Sequence, residues 1–150
     1  MIFGPLPPGT NFYIVNALLI ALYMISGIIG LKAKQNYFIG IRTYETLGNP
    51  EIWKKANIRI CSLVIAFTIP LLIINIVFAV LKLQTTFTYA ILGIFFVGIL
   101  ALNFYGSIYA QNLAKEQGIE VKKVHIPPYV YIILILSVII LAVVWHLIFK

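Results

Sequence analysis

The chain has 150 residues, of which 62% are hydrophobic and only 10% are charged, and its mean hydropathy is +1.03. Ordinary globular chains are roughly 45–50% apolar and about 25% charged, so too little polar surface remains here to cover a water-soluble domain. The net charge of +7 does not indicate nucleic-acid binding, because no basic stripe with interleaved stacking aromatics lies outside the apolar runs. We expect the lipid bilayer as the surroundings and no direct contact with nucleic acid.

Four apolar runs are long enough to cross a bilayer, which takes about twenty residues. No charge interrupts them apart from Arg59 at one entrance, and they cover residues 12–31, 58–81, 87–110 and 129–149. The first run is too long and too aromatic for the apolar part of a signal peptide, so we expect a retained span. The sequence therefore predicts one all-α membrane domain over residues 1–150, an integral membrane four-helix bundle.

Lysine and arginine are divided unequally between the two sides of such a bundle. The first loop (residues 32–57), the third loop (residues 111–128) and their flanks hold Lys32, Lys34, Arg42, Lys54, Lys55, Arg59, Lys115, Lys122 and Lys123. The other side holds only Lys82 and Lys150. Since short cytoplasmic loops are enriched in these residues, we expect the first and third loops in the cytoplasm and both termini outside.

Small and polar residues recur at helical spacing in three of the spans. The stripes are Asn16, Tyr23, Gly27 and Gly30 in the first, Trp53, Asn57, Cys61, Val64, Thr68, Asn75 and Ala79 in the second, and Gly93, Leu100, Asn103, Ser107 and Ala110 in the third. Membrane helices meet through such residues, so we expect these faces to point inward. The fourth span has only Ser137 in its interior, which predicts a peripheral position or an apolar interface in a homo-oligomer.

The intramembrane polar residues are a second group of candidate site residues: Asn16, Thr68, Asn75, Asn103 and Ser107. We expect them to form hydrogen bonds between helices. The alternative is a polar path across the membrane, as in a small transporter or channel. Hydrogen bonding is favoured because no acid, lysine or histidine lies in mid-membrane to carry ions or protons.

No catalytic constellation is present. The chain has no aspartate, its four glutamates all lie in loops, and His125 and His146 are predicted on opposite sides of the membrane. No nucleophile, zinc-protease or phosphate-loop motif occurs. We expect neither an enzyme nor a metal site nor a cofactor.

The first loop carries most of the local structural signals. Gly40 permits a positive φ beside Arg42. Asn49 followed by Pro50 and Glu51 is typical of a helix start, which predicts a short interfacial helix running into the second span. Arg42 could bind an anion or a partner through its guanidinium, or could instead pair with Glu45 or a lipid phosphate. Trp53 is expected as an interface anchor rather than a ligand contact.

At these residues the sequence resembles the SdpI (sporulation-delaying-protein immunity) family of bacterial membrane proteins. The matching pattern runs between two spans and consists of Asn36, Gly40-Ile41-Arg42-Thr43, Thr46-Leu47, Trp53-Lys54 and Asn57. The resemblance implies immunity to a secreted peptide toxin, or signalling in which a winged-helix repressor is held at the membrane. It makes Asn36, Gly40, Arg42, Thr43, Trp53 and Asn57 the candidate partner-binding or anion-binding residues. A structural subunit of a larger membrane complex is a further alternative, since the fourth span is so apolar.

Overall fold

The computed structural model describes residues 10–36, 38, 40–83 and 85–119, together with Ile132 and Leu136. Among these residues the secondary structure is entirely helical: α1 is Thr10–Lys32, α2 is Tyr44–Gly48, α3 is Pro50–Val80 and α4 is Thr85–Glu116. The predicted all-α fold is confirmed. The fourth predicted span (129–149), apart from Ile132 and Leu136, and both histidines lie outside the described residues, so the span and its interface remain predictions.

Helices α1, α3 and α4 are long and apolar enough to cross a membrane, over Phe12–Lys32, Pro50–Val80 and Thr86–Glu116. Only 22%, 22% and 17% of their most apolar stretches are buried within the protein. Large side chains on the outer faces are mostly exposed, as at Leu100 (70%) and Phe104 (72%). Such surfaces need lipid around them, so the chain is a multi-pass membrane protein.

Helix α3 runs antiparallel to both α1 and α4. Near the start of α3, Asn57 contacts Gly30 in the last turns of α1, whereas Asn75 near its end reaches Tyr13 in the first turn of α1. The rings of Phe78 and Phe87 meet across the α3–α4 turn, with their centroids 5.4 Å apart. The bundle therefore has a loop end, which carries residues 33–49, and a far end, which carries Leu81–Leu83.

Small side chains allow α3 and α4 to approach closely at the loop end. Ala56, Ala110 and Ala114 are buried there together with Ile52. Toward the far end the core is built of larger residues, namely Ile20, Leu71, Ile91 and Phe95. The contact between α3 and α4 is thus lined by smaller side chains at the loop end than toward the far end.

The helix start predicted at Asn49 is confirmed. Asn49 is the N-cap of α3, and its side-chain oxygen accepts from the backbone N–H groups of Glu51 and Ile52. The predicted interfacial helix is not a separate element, because α3 continues without a break from Pro50 to Val80. Helix α4 continues past the predicted span to Glu116 and is followed by Gly118 at φ +62°, a conformation that glycine often adopts after the end of a helix.

The inward faces of α1 and α3 agree with the predicted stripes, but that of α4 does not. Leu100 is 70% exposed, and a Cβ on Gly93 would meet no described atom within 4 Å. Ala110 of that stripe is buried as predicted, but the other buried hydrophobic residues of α4 are Ile91, Phe95 and Ala114. The reason is steric. Phe67 of α3 lies against Gly98, and Ile41 from the segment between α1 and α3 lies against Gly106. These two contacts set the rotation of α4.

Gly98 provides a test of this corrected face. A Cβ at Gly98 would lie 2.0 Å from Cζ of Phe67, so we expect Gly98→Leu to push α3 and α4 apart and to lower the free energy of unfolding by about 1–3 kcal/mol. Gly93→Leu is the matched control on the same helix and should cause no loss. Unfolding monitored by circular dichroism in detergent would measure both, and equal effects of the two substitutions would contradict the assigned face.

Candidate functional site

The segment between α1 and α3, residues 33–49, is called the connector here. Its C-terminal part is helix α2, which the sequence interpretation missed. Thr43 caps α2: its side chain accepts from the backbone N–H of Thr46, while the Thr46 hydroxyl oxygen accepts from the N–H of Thr43. The side-chain amide of Gln35 closes the other end by donating to the carbonyls of Thr46 and Leu47 at 2.6 and 2.8 Å. The threonines at residues 43 and 46 were the sequence signal that could have predicted α2, since reciprocal capping at this spacing starts many helices.

Asn36 shapes the first part of the connector. Its side-chain amide donates to the carbonyl of Lys34 at 2.7 Å, and its oxygen accepts from the N–H of Phe38 at 2.8 Å. These two hydrogen bonds hold a local turn around Asn36. The structure therefore gives Asn36 a part in the course of the connector.

Ile41 fixes the middle of the connector to the helices. Its side chain is 4% exposed and packs with Ile60 and Val64 of α3. A Cβ on Gly106 of α4 would lie 2.5 Å from the end of this side chain, so α4 leaves space for it. The Thr46 hydroxyl donates to the Ile41 carbonyl at 2.8 Å. The connector is thus packed into the bundle at the residue before Arg42.

Asn57 joins α1, α3 and the connector. Its side-chain amide donates to the carbonyl of Gly30 in the last turn of α1, which also accepts from the backbone N–H of Ala33 at 3.3 Å. Its oxygen accepts from the Cys61 thiol at 3.4 Å and lies against Gly40, where a Cβ would be only 1.9 Å away. Gly40 also has φ +88°. Both the backbone conformation and the space available therefore require glycine at this position.

Arg42 is positioned by its two neighbours, since Ile41 is buried and Thr43 caps α2. One guanidinium nitrogen donates to the carbonyl of Phe38. Partial burial lowers the pKa of Arg42 from its ordinary value, but arginine stays protonated in proteins. The site therefore carries a permanent positive charge.

The expected pairing of Arg42 with Glu45 is not formed. The ion pair found among the described residues joins Lys55 and Glu51 at 2.7 Å, and Glu45 lies in a separate hollow with Lys115. Arg42 therefore has no acidic partner within the described part of the chain, and its remaining donors are available to a group from outside.

Two adjoining cavities, of about 220 and 290 Å³, meet at Arg42. We call them the Arg42 cavities. Both are lined by Gly40, Ile41, Arg42 and Asn103, the first also by Tyr23 and Ser26 and the second by Ser107. The Asn103 amide and the hydroxyls of Ser26 and Ser107 already donate to backbone carbonyls, so the guanidinium of Arg42 is the group in these cavities that suits a carboxylate or phosphate. No group of three or more metal-ligating side chains occurs among the residues that the structure describes.

Most of the residues around Arg42 lie in a region that matches a known protein family. A model of the SdpI/YfhL protein family matches residues 32–106, half of the chain. The chain belongs to the SdpI/YfhL family. The matched region begins at the last residue of α1 and takes in the connector, Asn57 and Asn103, so it contains most of the Arg42 cavities. Neither a curated protein nor a solved structure matches the chain significantly.

The polar residues in the membrane-spanning part of this SdpI/YfhL protein fall into two groups. Asn16 donates to the carbonyl of Thr88 and Asn75 to that of Tyr13, both at 2.9 Å, so each ties α1 to a neighbouring helix. Thr68 donates to Val64 within α3 at 2.8 Å. These residues are buried and do not line the Arg42 cavities, where Asn103 and Ser107 lie. The structure thus does not join the five predicted residues into one polar path.

Trp53 differs from the expected interface anchor of an SdpI/YfhL protein. Its side chain is 3% exposed and packed inside the loop end, whereas an anchor presents its ring to the headgroups. Its indole N–H is buried and has no acceptor among the described residues. Ile52 and Ala56, the apolar neighbours of Trp53 on α3, are also buried, which explains why the ring turns inward.

Proposed function

We propose that this SdpI/YfhL protein works in toxin immunity or membrane signalling by binding an anionic group of a partner at Arg42. The observation that carries the proposal is the Arg42 guanidinium, which has no acidic partner in the described part of the chain and lies where two cavities meet. The resemblance implies two kinds of partner, a peptide toxin and a winged-helix repressor. Both are peptides or proteins, so a carboxylate is the group that Arg42 would bind. The role is binding rather than catalysis.

The preorganised connector supports this role. The Ile41 side chain and the Thr43 cap hold the backbone on both sides of Arg42, so a partner does not need to order this part of the loop. A planar guanidinium can contact both oxygens of a carboxylate at once. Hydrogen bonds to a charged group contribute about 1.5–3 kcal/mol, and the lower part of this range applies to a partly exposed arginine.

The transporter or channel alternative is less well supported. The amides of Asn16 and Asn75 are engaged with the backbone of neighbouring helices, and the Thr68 hydroxyl with its own helix. A conducting path would have to break these contacts in lipid, where no water replaces them. The structural-subunit alternative depends on the fourth span, which the described residues do not include.

The orientation belongs to the same proposal: the loop end faces the cytoplasm and the far end faces outward. The loop end carries Lys32, Lys34, Arg42, Lys54, Lys55, Arg59 and Lys115, whereas the far end of the described chain carries Lys82. This bias supports a cytoplasmic loop end. A repressor could then reach the connector directly.

Cysteine labelling tests the orientation. In a Cys61→Ala background, we expect a membrane-impermeant maleimide to label Lys82→Cys in intact cells and Lys34→Cys only after permeabilisation. Both positions are exposed, so accessibility within the fold does not limit the reaction. The reverse labelling pattern would contradict a cytoplasmic connector and the repressor interaction with it.

Replacing Arg42 tests the function itself. In cells that the protein protects from a membrane-active peptide, we expect Arg42→Ala to lower by about tenfold or more the peptide concentration that halves growth, since a lost charged hydrogen bond of at least about 1.4 kcal/mol has that effect. Arg42→Lys should give an intermediate result, because it keeps the charge and loses the planar fork.

Arg59→Ala is the matched control, since Arg59 is an exposed arginine on α3 that does not line the Arg42 cavities. It should retain protection. The amount of each variant in the membrane is measured by immunoblot. Full protection by Arg42→Ala at a normal protein level would contradict the proposed role.

A further inference from the structure

A third cavity, of about 370 Å³, lies between the end of α1 and the first turns of α3. It is called the lysine cavity here. Its lining includes three lysines, Lys32, Lys34 and Lys54, together with Trp53, Leu31 and Ile58. Arg42 does not line it, so the lysine cavity is separate from the Arg42 cavities and does not depend on the function proposed for them.

No acidic side chain among the described residues neutralises the three lysines. In the described ranges the observed ion pair is Lys55 with Glu51, and no ion pair involves Lys32, Lys34 or Lys54. Three like charges around one cavity repel each other unless an anion lies between them. Lysine binds phosphate as a point charge and needs no fixed angle. The charge of the cavity therefore fits a phosphate group.

Trp53 is a second and independent indication of a ligand. It lines the lysine cavity, its side chain is 3% exposed, and its buried indole N–H has no acceptor in the described chain. Buried donors are rarely left without a partner, because the unmade hydrogen bond is costly. A phosphate or ester oxygen of a molecule bound in the cavity would complete this hydrogen bond after a small shift of the buried ring toward it.

The apolar part of the lining indicates which kind of phosphate compound binds. Leu31 and Ile58 are 37% and 43% exposed, and Ile28 extends the exposed apolar surface along α1 at 44%. These residues continue onto the lipid-facing sides of two membrane spans. A soluble phosphate would leave this apolar surface uncovered, whereas the acyl chains of a lipid would cover it.

We propose that the lysine cavity binds one anionic phospholipid, with its phosphate between Lys32, Lys34 and Lys54 and its acyl chains along Leu31 and Ile58. The position supports this choice of ligand. Lys32 is the last residue of the first candidate span (Phe12–Lys32) and Lys54 lies in the first turns of the second (Pro50–Val80), so the cavity lies at the ends of both spans, at the depth of the headgroups. Anionic lipids are attracted to basic residues at this depth.

Native mass spectrometry of the purified full chain tests the site. We expect phosphatidylglycerol to bind with about tenfold or greater preference over phosphatidylcholine, and the triple variant Lys32→Gln/Lys34→Gln/Lys54→Gln to lose that preference, since each lysine near a lipid headgroup contributes about fivefold. The triple variant Lys55→Gln/Arg59→Gln/Lys115→Gln removes the same charge from the loop end without changing the lysine cavity, and it should keep the preference.

Three outcomes would overturn the proposal: no preference in the unsubstituted protein, equal losses in both triple variants, or displacement of the lipid by millimolar glycerol phosphate. The last result would indicate a site for soluble phosphate.

A second measurement does not depend on the folding of the lysine variants. In Trp145→Phe, where Trp53 is the remaining tryptophan, brominated phosphatidylglycerol at low mole fraction should quench fluorescence more strongly than brominated phosphatidylcholine. Equal quenching would contradict a specific anionic lipid beside Trp53.

Discussion

The side-chain amide of Asn57 is the contact on which the loop end depends. It completes the hydrogen bonding at the end of α1 through the Gly30 carbonyl, and its oxygen lies where any side chain at residue 40 would be. The Gly30 carbonyl also accepts from the backbone N–H of Ala33 at 3.3 Å, so the Asn57 amide adds a second hydrogen bond at this helix end. One side chain of α3 thus fixes both the end of α1 and the start of the packed part of the connector.

The two proposed binding regions lie on either side of this contact. Gly40, against which Asn57 packs, leads directly to Ile41 and Arg42, and the Arg42 cavities open there. Asn57 itself lines the lysine cavity, where α1 and α3 diverge. A partner bound at Arg42 and a lipid bound at the lysines would therefore both contact structure that Asn57 holds in place. The connector of this SdpI/YfhL protein is accordingly a folded part of the bundle and not a loose link between spans.

The sequence predicted the features that depend on local chemistry. Apolar length located three described spans, the cap at Asn49 located the start of α3, and the motif around Arg42 identified the family. It did not predict the rotation of α4, because that depends on where Phe67 and Ile41 insert from other parts of the chain. Helix α2 was missed since five residues give no periodicity. The inward turn of Trp53 and the two sets of cavities arise from tertiary packing alone.

A double-mutant cycle between Gly40 and Asn57 tests the central contact most directly. Gly40→Ala and Asn57→Ala should each lower the free energy of unfolding in detergent, and the double variant should lose less than the sum by about 1 kcal/mol or more, because removing the amide also removes the clash. Gly118→Ala is the control partner for Asn57→Ala. Gly118 also has a positive φ, at +62°, but a Cβ there would meet no described atom within 4 Å, so its effect should add to that of Asn57→Ala. Additive losses for Gly40 and Asn57, within about 0.3 kcal/mol, would contradict the account.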